Sequence, residues 1–283
     1  MTRKSADTTF RDALRAGAGF DLEALDKRST AGFDGAKEDA EALMPDLADR
    51  ASDLQERLYA ESSAGGTRKV LLVIQGMDTS GKGGIMRHVV GAMDPQGSQI
   101  TAFKAPTEEE LAHHYLWRIR KELPEPGMIG VFDRSHYEDV LIVRVRNLVA
   151  PEVWGARYEE INAFEKGLVD DDTTVIKVML AISNEEQKER LSERLDRDDK
   201  HWKFNPGDID ERALWDDYME AYQAAIEKCS TDHAPWFVVP ADRKWYARLA
   251  VMNLLIEHLT DLDPQWPKAD FDVEKQKKRL AAT

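Results

Sequence analysis

Val70-Leu71-Leu72-Val73-Ile74-Gln75-Gly76-Met77-Asp78-Thr79-Ser80-Gly81-Lys82 decides the fold. The apolar run from Val70 has no polar alternation, which is the pattern of a parallel strand buried on both faces. It ends in the spacing GxxxxGK from Gly76 to Lys82, and the pattern predicts a helix from Gly81 to about Met93. Strand, glycine-rich loop and helix in that order form a phosphate cradle. Glycines let backbone N–H groups converge on an anion, and the helix N-terminus adds its positive end. Lys82 adds a mobile cation. Gly76, Thr79, Ser80, Gly81 and Gly83 are the candidate phosphate-binding positions of the loop. A chance glycine turn would match the spacing, but not the lysine and both flanking elements together.

Two features depart from the common form. Gly83 stands where a Ser or Thr would ligate magnesium, and Asp78 places an acid inside the loop. A carboxylate beside a phosphate weakens binding unless a cation bridges the two. Asp78 is therefore a candidate metal ligand or base.

Working outward, strand and helix patterns alternate. Strands are predicted at Gln99–Phe103, Met128–Phe132, Thr174–Ile182 and Trp236–Val239. Helices are predicted at Glu108–Leu123, Tyr137–Arg146, Trp154–Leu168, Ile209–Lys228 and Trp245–Leu259. A capping box, Ser183-Asn184-Glu185-Glu186, opens a further helix. The alternation predicts an α/β fold with a parallel five-stranded sheet and helices on both faces. Residues 1–66 differ. They show no convincing strand, and Leu43, Leu47, Leu54 and Leu58 follow a helical repeat between Ala36 and Ala60. We read 1–66 as a helical extension ending in the linker Ser62-Ser63-Ala64-Gly65-Gly66, 67–262 as the P-loop domain, and 263–283 as a charged surface tail, partly disordered.

The strand Met128–Phe132 runs into Asp133, which in a P-loop enzyme meets magnesium, directly or through water. Arg134 follows, a cation suited to a transferring phosphoryl group, whereas His136 reads as structural. Between Glu189 and Phe204, Arg190, Arg194, Arg197, Lys200 and Lys203 alternate with acids. On charge alone this is a solvated helix end. Its place after the fourth strand and its helix is where kinases of this topology carry a lid, here about 190–210. Trp202 amid these charges is unusual for a plain surface turn, and Asn205-Pro206-Gly207-Asp208 ends the segment.

Composition narrows the function. The 283-residue chain carries a net charge of −14, which argues against nucleic-acid binding but permits a polyanionic substrate in a local basic channel. No apolar run approaches the roughly 18 residues of a membrane span, and Met1 to Phe20 lacks a signal core, so a cytoplasmic protein is expected. The single cysteine, Cys229, reads as an ordinary helix position, and no Cys/His spacing suggests zinc.

Several motifs in one order resemble the polyphosphate kinase 2 family. They are Gln75 to Gly84, Phe132-Asp133-Arg134-Ser135-His136-Tyr137-Glu138-Asp139-Val140, Lys200-His201-Trp202-Lys203-Phe204, and Ala234-Pro235-Trp236 with Val239-Pro240-Ala241-Asp242-Arg243-Lys244. The resemblance spans roughly Val70 to Leu259. It implies a P-loop kinase fold with a helical lid, and transfer of phosphate between inorganic polyphosphate and nucleoside mono- or diphosphates. It also implies magnesium or manganese on Asp78 and Asp133, and a homo-oligomer, dimer or tetramer. It gives Asp78, Lys82, Asp133 and Arg134 catalytic roles. It lays Arg118, Arg190, Arg194, Lys200 and Lys203 along the phosphate path, with Asp208, Trp215 and Tyr218 as lid framework. Gly83 is usual in that family. The motifs look like the branch that accepts both mono- and diphosphates, where Asn is commoner than Asp at position 133. Two rival readings are an ATP-dependent small-molecule kinase on the same fold and a non-catalytic nucleotide- or polyphosphate-binding regulator. Retention of Asp78, Lys82 and Asp133 together argues against the regulator.

Overall fold

Five strands form one parallel sheet: β1 (Lys69–Gln75), β2 (Ser98–Ala102), β3 (Ile129–Asp133), β4 (Thr173–Ala181) and β5 (Trp236–Pro240). Their order is β2-β3-β1-β4-β5. The computed structural model describes residues 8–283; residues 1–7, part of the segment read for a targeting signal, lie outside the described residues. The helices are α1 (Phe10–Leu14), α2 (Lys37–Ser63), α3 (Lys82–His88), α4 (Glu108–Leu111), α5 (Leu116–Lys121), α6 (Ile142–Val145), α7 (Pro151–Asp170), α8 (Asn184–Asp196), α9 (Gly207–Arg212), α10 (Trp215–Cys229), α11 (Lys244–Leu262) and α12 (Val273–Leu280). No described helix is long and apolar enough to cross a membrane.

The unbroken apolar run of β1 is explained by its central place. Val70 to Ile74 are wholly buried, with one core layer on each face. Val70, Leu72 and Ile74 pack toward α2, α3 and α11, and Leu71 and Val73 toward α5, α7 and α10. Register then positions the site. Ile74 of β1 pairs with Asp133 of β3, so the acid ends its strand level with the departure of the phosphate loop. Ligands of such sheets bind outside the carboxyl ends of the strands.

The N-terminal extension is part of this core. Leu58 and Ala51 of α2 are buried, with Leu47 and Leu54 packed beside them against the layer that holds α11, while Leu43 is exposed. The Glu257 carboxylate accepts the Phe10 and Arg11 N–H groups at 2.9 Å each, closing the start of α1. Arg15 bridges Phe237, and the Ala16 N–H donates to the Trp236 carbonyl at 2.8 Å. The strap covers the outer edge of β5, which would otherwise offer unpaired backbone to another chain.

Four predicted helices are broken in the structure. The one expected from Gly81 to about Met93 stops as α3 at His88 and goes on as a 3₁₀ turn, Val90–Ala92. Glu108–Leu123 divides into α4 and α5. The first is held by the Thr107–Glu110 capping box with Leu111 exposed, and the second buries Leu116 and Ile119. Ile209–Lys228 divides into α9 and α10, because Arg212 is drawn to the Asn184 carbonyl and Gln187 while Ala221, Ala225 and Ile226 enter the core. Tyr137–Arg146 opens as a 3₁₀ turn, His136–Asp139, before α6. At Ser183 only half of the expected capping box forms. Ser183 Oγ accepts the Glu186 N–H, but the Ser183 N–H donates to Asp242 at 2.8 Å, and Glu186 turns to Arg190 instead. The tail lies on the surface and carries α12, with none of that helix buried.

The turn after β3 is fixed by a fully buried polar network. Lys177 donates to Glu165 at 2.6 Å, the Tyr137 hydroxyl at 2.8 Å and the Cys229 carbonyl at 2.7 Å. Tyr137 donates to Glu165 at 2.9 Å, and His136 Nε2 lies 3.1 Å from the same oxygen. Burial pushes the Glu165 carboxyl up, but Lys177 and His136 outweigh it and hold it below its ordinary range. A carboxyl depressed by folding contributes stability above its unfolded value and loses it as the pH falls toward the folded one. Glu165→Gln leaves Lys177 charged without its partner, and it should cost about 3–5 kcal/mol at neutral pH, read by urea unfolding. That gap should narrow as the pH drops below the ordinary carboxylate range. Parallel pH profiles for the two proteins would contradict it.

Candidate active site

The loop backbone is shaped around an anion-sized concavity. Gly76 has φ 152°, and a Cβ there would lie 2.8 Å from the Leu180 carbonyl. Gly81, at φ 117°, caps α3. Two non-glycine residues, Thr79 (φ 63°) and Arg134 (φ 64°), are left-handed in the same site. Each such conformation costs on the order of 1–3 kcal/mol and persists only where surroundings impose it. Thr79 Oγ1 and Ser80 Oγ are buried with no hydrogen-bond partner among the described residues. Lys82 Nζ donates to the Gly76 carbonyl at 2.6 Å, and burial lowers its pKa against the pull of Asp78 and Asp133.

Arg134 meets Asp78 at 3.0 Å, and the Asp78 carbonyl accepts from Gln187 at 3.1 Å. Burial works to lower the Arg134 pKa, but Glu138 and Asp78 beside it outweigh that and raise it. Burial raises Glu138, whose carboxylate accepts from the Gln75 amide at 3.1 Å. Burial, then the charge of Asp78, raises Asp208 from the lid side.

These groups open into one cavity of about 630 Å³ at the carboxyl end of the sheet. Asp78, Thr79, Ser80, Gly81, Lys82, Gly83, Asp133, Arg134, Arg190, Arg194, Lys200 and Lys203 all line it. Gly76 lies beneath the loop rather than in the lining. Arg118 stands apart: buried, it donates to the Lys104 carbonyl at 2.9 Å and pairs with Glu110 at 3.5 Å. A larger cleft, about 870 Å³, opens at the opposite end of the sheet. Of its arginines, Arg11 pairs with Asp261, Arg15 with Asp232 and Arg68 with Glu61, and Arg50 donates to the Thr260 hydroxyl, so it offers no comparable anion site. Cys229 is buried, and burial pushes its thiol up to about 12, far from a nucleophile's range.

The polyphosphate kinase 2 family profile matches residues 35–267. The chain belongs to the polyphosphate kinase 2 family. It is 46% identical over 256 residues to the AMP/ADP-polyphosphate phosphotransferase of Meiothermus ruber, covering 90% of this chain and 94% of that protein. It is 41% identical over 244 residues to the ADP-polyphosphate phosphotransferase of Rhodopseudomonas palustris, covering 82% and 83%. The crystal structure of polyphosphate kinase 2 from Arthrobacter aurescens TC1 superposes over the whole of both chains with TM-score 0.96 and 52% identity.

In this member of the family, the cavity holds basic side chains that the sequence reading missed. Arg87 and His88 on α3, Lys104 after β2, and Lys244 and Arg248 on α11 complete its wall. Desolvation, then Arg248 and Arg87, lowers His88. Desolvation lowers Arg248 too, against the pull of Glu41 and with the push of Arg87 and Arg190. Such mutual repulsion is relieved when an anion binds. The spacing of Arg87 and His88 on the loop's own helix was the available signal. Both Lys244 and Arg248 come from a helix more than 150 residues downstream; Lys244 closes one of the family-like motifs without a site role being read there, and no local pattern marks Arg248.

Arg190 lines the cavity, but its guanidinium is committed to the protein. Nε donates to Glu186 at 2.8 Å. One terminal nitrogen donates to the Thr79 and Ser80 carbonyls at 2.9 and 3.1 Å, and the other to those of Ala241 and Asp242 at 2.7 and 2.9 Å. All five donors of the side chain are thus used. Arg190→Lys keeps the charge but not the fork. It should lower kcat roughly tenfold to a hundredfold through misplacement of the loop, measured by steady-state kinetics. Unchanged kcat in the folded variant would show that charge alone matters at this position.

Proposed function

We propose that the chain transfers phosphoryl groups between inorganic polyphosphate and nucleotides, forming ATP or GTP from the diphosphates and accepting monophosphates at the same site. One observation carries this reading. In a chain of net charge −14, eleven Lys and Arg side chains against four carboxylates line the cavity around the phosphate loop. A nucleotide alone does not call for a basic wall extending over α3, α8, α11 and the lid, whereas two polyanions meeting end to end do. Family membership favours this reading over the ATP-dependent small-molecule kinase.

The acceptor is already an anionic oxygen, so strong base catalysis adds little, and repulsion between the reactants is the main obstacle. Lys82 and the loop N–H groups at the start of α3 hold the transferring phosphate. Arg134, fixed between Asp78 and Glu138, presents a fork to oxygens that gain charge in transit. Arg194 ties the lid to itself through the Lys203 carbonyl at 3.2 Å and Asp208 at 3.4 Å, leaving Lys200 and Lys203 to close over the reactants and exclude water.

Among the described residues no three His, Cys, Asp or Glu side chains cluster as a metal cage. Two carboxylates facing a phosphate site suit magnesium, which keeps several waters and takes phosphate oxygens as ligands. Asp78 and Asp133 would hold it, or manganese, and it would neutralise charge shared by donor and acceptor. The expected homo-oligomer remains part of this proposal.

The test supplies ADP, GDP, AMP or GMP with long-chain polyphosphate and magnesium, and no ATP. New nucleotide phosphate is expected, and a chelator should abolish it. Asp78→Asn should lower kcat by about a hundredfold or more with the unfolding midpoint retained. No new nucleotide phosphate with any acceptor would return the chain to the small-molecule kinases.

A further inference from the structure

Helix α12, near the end of the chain, carries charge of opposite sign to the protein as a whole. Helix α12 presents Lys275, Lys277, Lys278 and Arg279, four cations within five residues. Residues three and four apart share a helix face, so Lys275, Lys278 and Arg279 form one cationic side. No residue of the helix is buried. Lys277 pairs with Glu274 at 2.8 Å, but both are about 70% exposed, and an exposed pair of this kind holds its cation only weakly.

The root of the tail is fixed. The Gln265 N–H donates to Glu61 of α2 at 3.3 Å, and Arg57 stands 6.0 Å over the Trp266 ring. Helix α11 connects this root to the cavity wall at Lys244, a run of 19 residues or about 28 Å at 1.5 Å per residue. The basic helix is thus tethered well outside the cavity. It also begins beyond residue 267, where the family match stops.

We propose that α12 is a second binding site for inorganic polyphosphate, gripping the distal part of a long chain whose end occupies the cavity. This rests on the polyphosphate reading above. The occupant follows from charge and shape. The helix is a row of cations on an otherwise acidic protein, complementary to a linear polyanion. Val273 and Leu280 sit at its two ends, too sparse for the apolar face that a membrane or a partner helix requires. Once one end of a polymer is bound, the second contact is intramolecular and gains from a high effective concentration. A chain too short to span the separation gains nothing.

The experiment compares the full chain with two variants. One combines Lys275→Gln, Lys277→Gln, Lys278→Gln and Arg279→Gln, and the other ends at Lys268. Each is assayed with long-chain polyphosphate and with a short linear polyphosphate of a few residues. Both variants should raise KM for the long chain roughly threefold to tenfold and make it less sensitive to salt. KM for the short chain and kcat should stay unchanged. Fluorescence anisotropy of labelled long-chain polyphosphate, without nucleotide, should show the same loss of affinity. Equal KM changes for both lengths, or none, would overturn the proposal. So would a fall in molecular mass by light scattering that tracks the KM change, which would assign α12 to contact between copies of the chain. Failure of the full chain to use polyphosphate of either length would instead defeat the underlying reading, while the anisotropy measurement still decides whether α12 binds the polymer.

Discussion

The guanidinium of Arg190 joins three parts of the chain that lie far apart in sequence. It binds the carbonyls of the phosphate loop at Thr79 and Ser80 and those after β5 at Ala241 and Asp242, while its own helix belongs to the lid. A planar fork with five fixed donors can do this, and a single ammonium cannot. The joint continues outward. Asp242 accepts from the Ser183 N–H and hydroxyl at 2.8 and 2.9 Å, and its own N–H donates to the Lys27 carbonyl at 3.1 Å. Loop geometry, the start of the lid helix and the N-terminal strap are therefore set by one connected group of bonds. The left-handed backbone at Thr79 is sustained by the same clamp, since its carbonyl is one of those held.

A second constraint acts from the other side of the sheet. Arg134 also has a left-handed backbone, and the turn that follows it is pinned by His136 and Tyr137 to Glu165 and Lys177 in the core. An ion pair buried this deeply is poor evidence of stability by itself, because desolvation offsets much of the attraction. Its geometry has a clearer use. It anchors the residues immediately after Arg134, so the guanidinium meets Asp78 without relying on the lid. The two strained residues thus lie in one cavity, each held by its own network of buried bonds.

Much of this was legible before any coordinates. The apolar run Val70–Ile74, the GxxxxGK spacing and the acid ending β3 are local patterns, and local patterns report strands and turns directly. The five strands and their parallel arrangement followed from alternation. The broken helices were not visible, because 3.6-residue periodicity continues across α9 and α10 even though one piece is tied to the lid and the other to the core. The parts played by Arg190 and Arg118 were illegible for a related reason. Sequence shows that a residue is cationic, and only folding shows whether its donors reach solvent or backbone carbonyls. Arg190 lies in the cavity wall with its donors taken, and Arg118 is buried against Lys104 and Glu110. Conversely, Arg248 looked like an ordinary helix residue and Lys244 like the end of a motif until α11 placed both in the cavity wall.

The distribution of charge then becomes a physical argument about substrate. An acidic exterior repels polyanions in general, and screening limits that repulsion to about 10 Å at ordinary ionic strength. Within the cavity, low-dielectric walls and crowded cations strengthen attraction instead. Burial, and then the neighbouring cations, lower His88 and Arg248, and a multiply charged anion is the natural match for such a cluster. A single phosphate at the loop would leave the α3 and α11 side of that cluster unmatched. A chain of phosphates running from Lys82 past Arg87 and Arg248 would match it throughout, which ties the extent of the basic wall to the length of the substrate rather than to the chemistry at the loop.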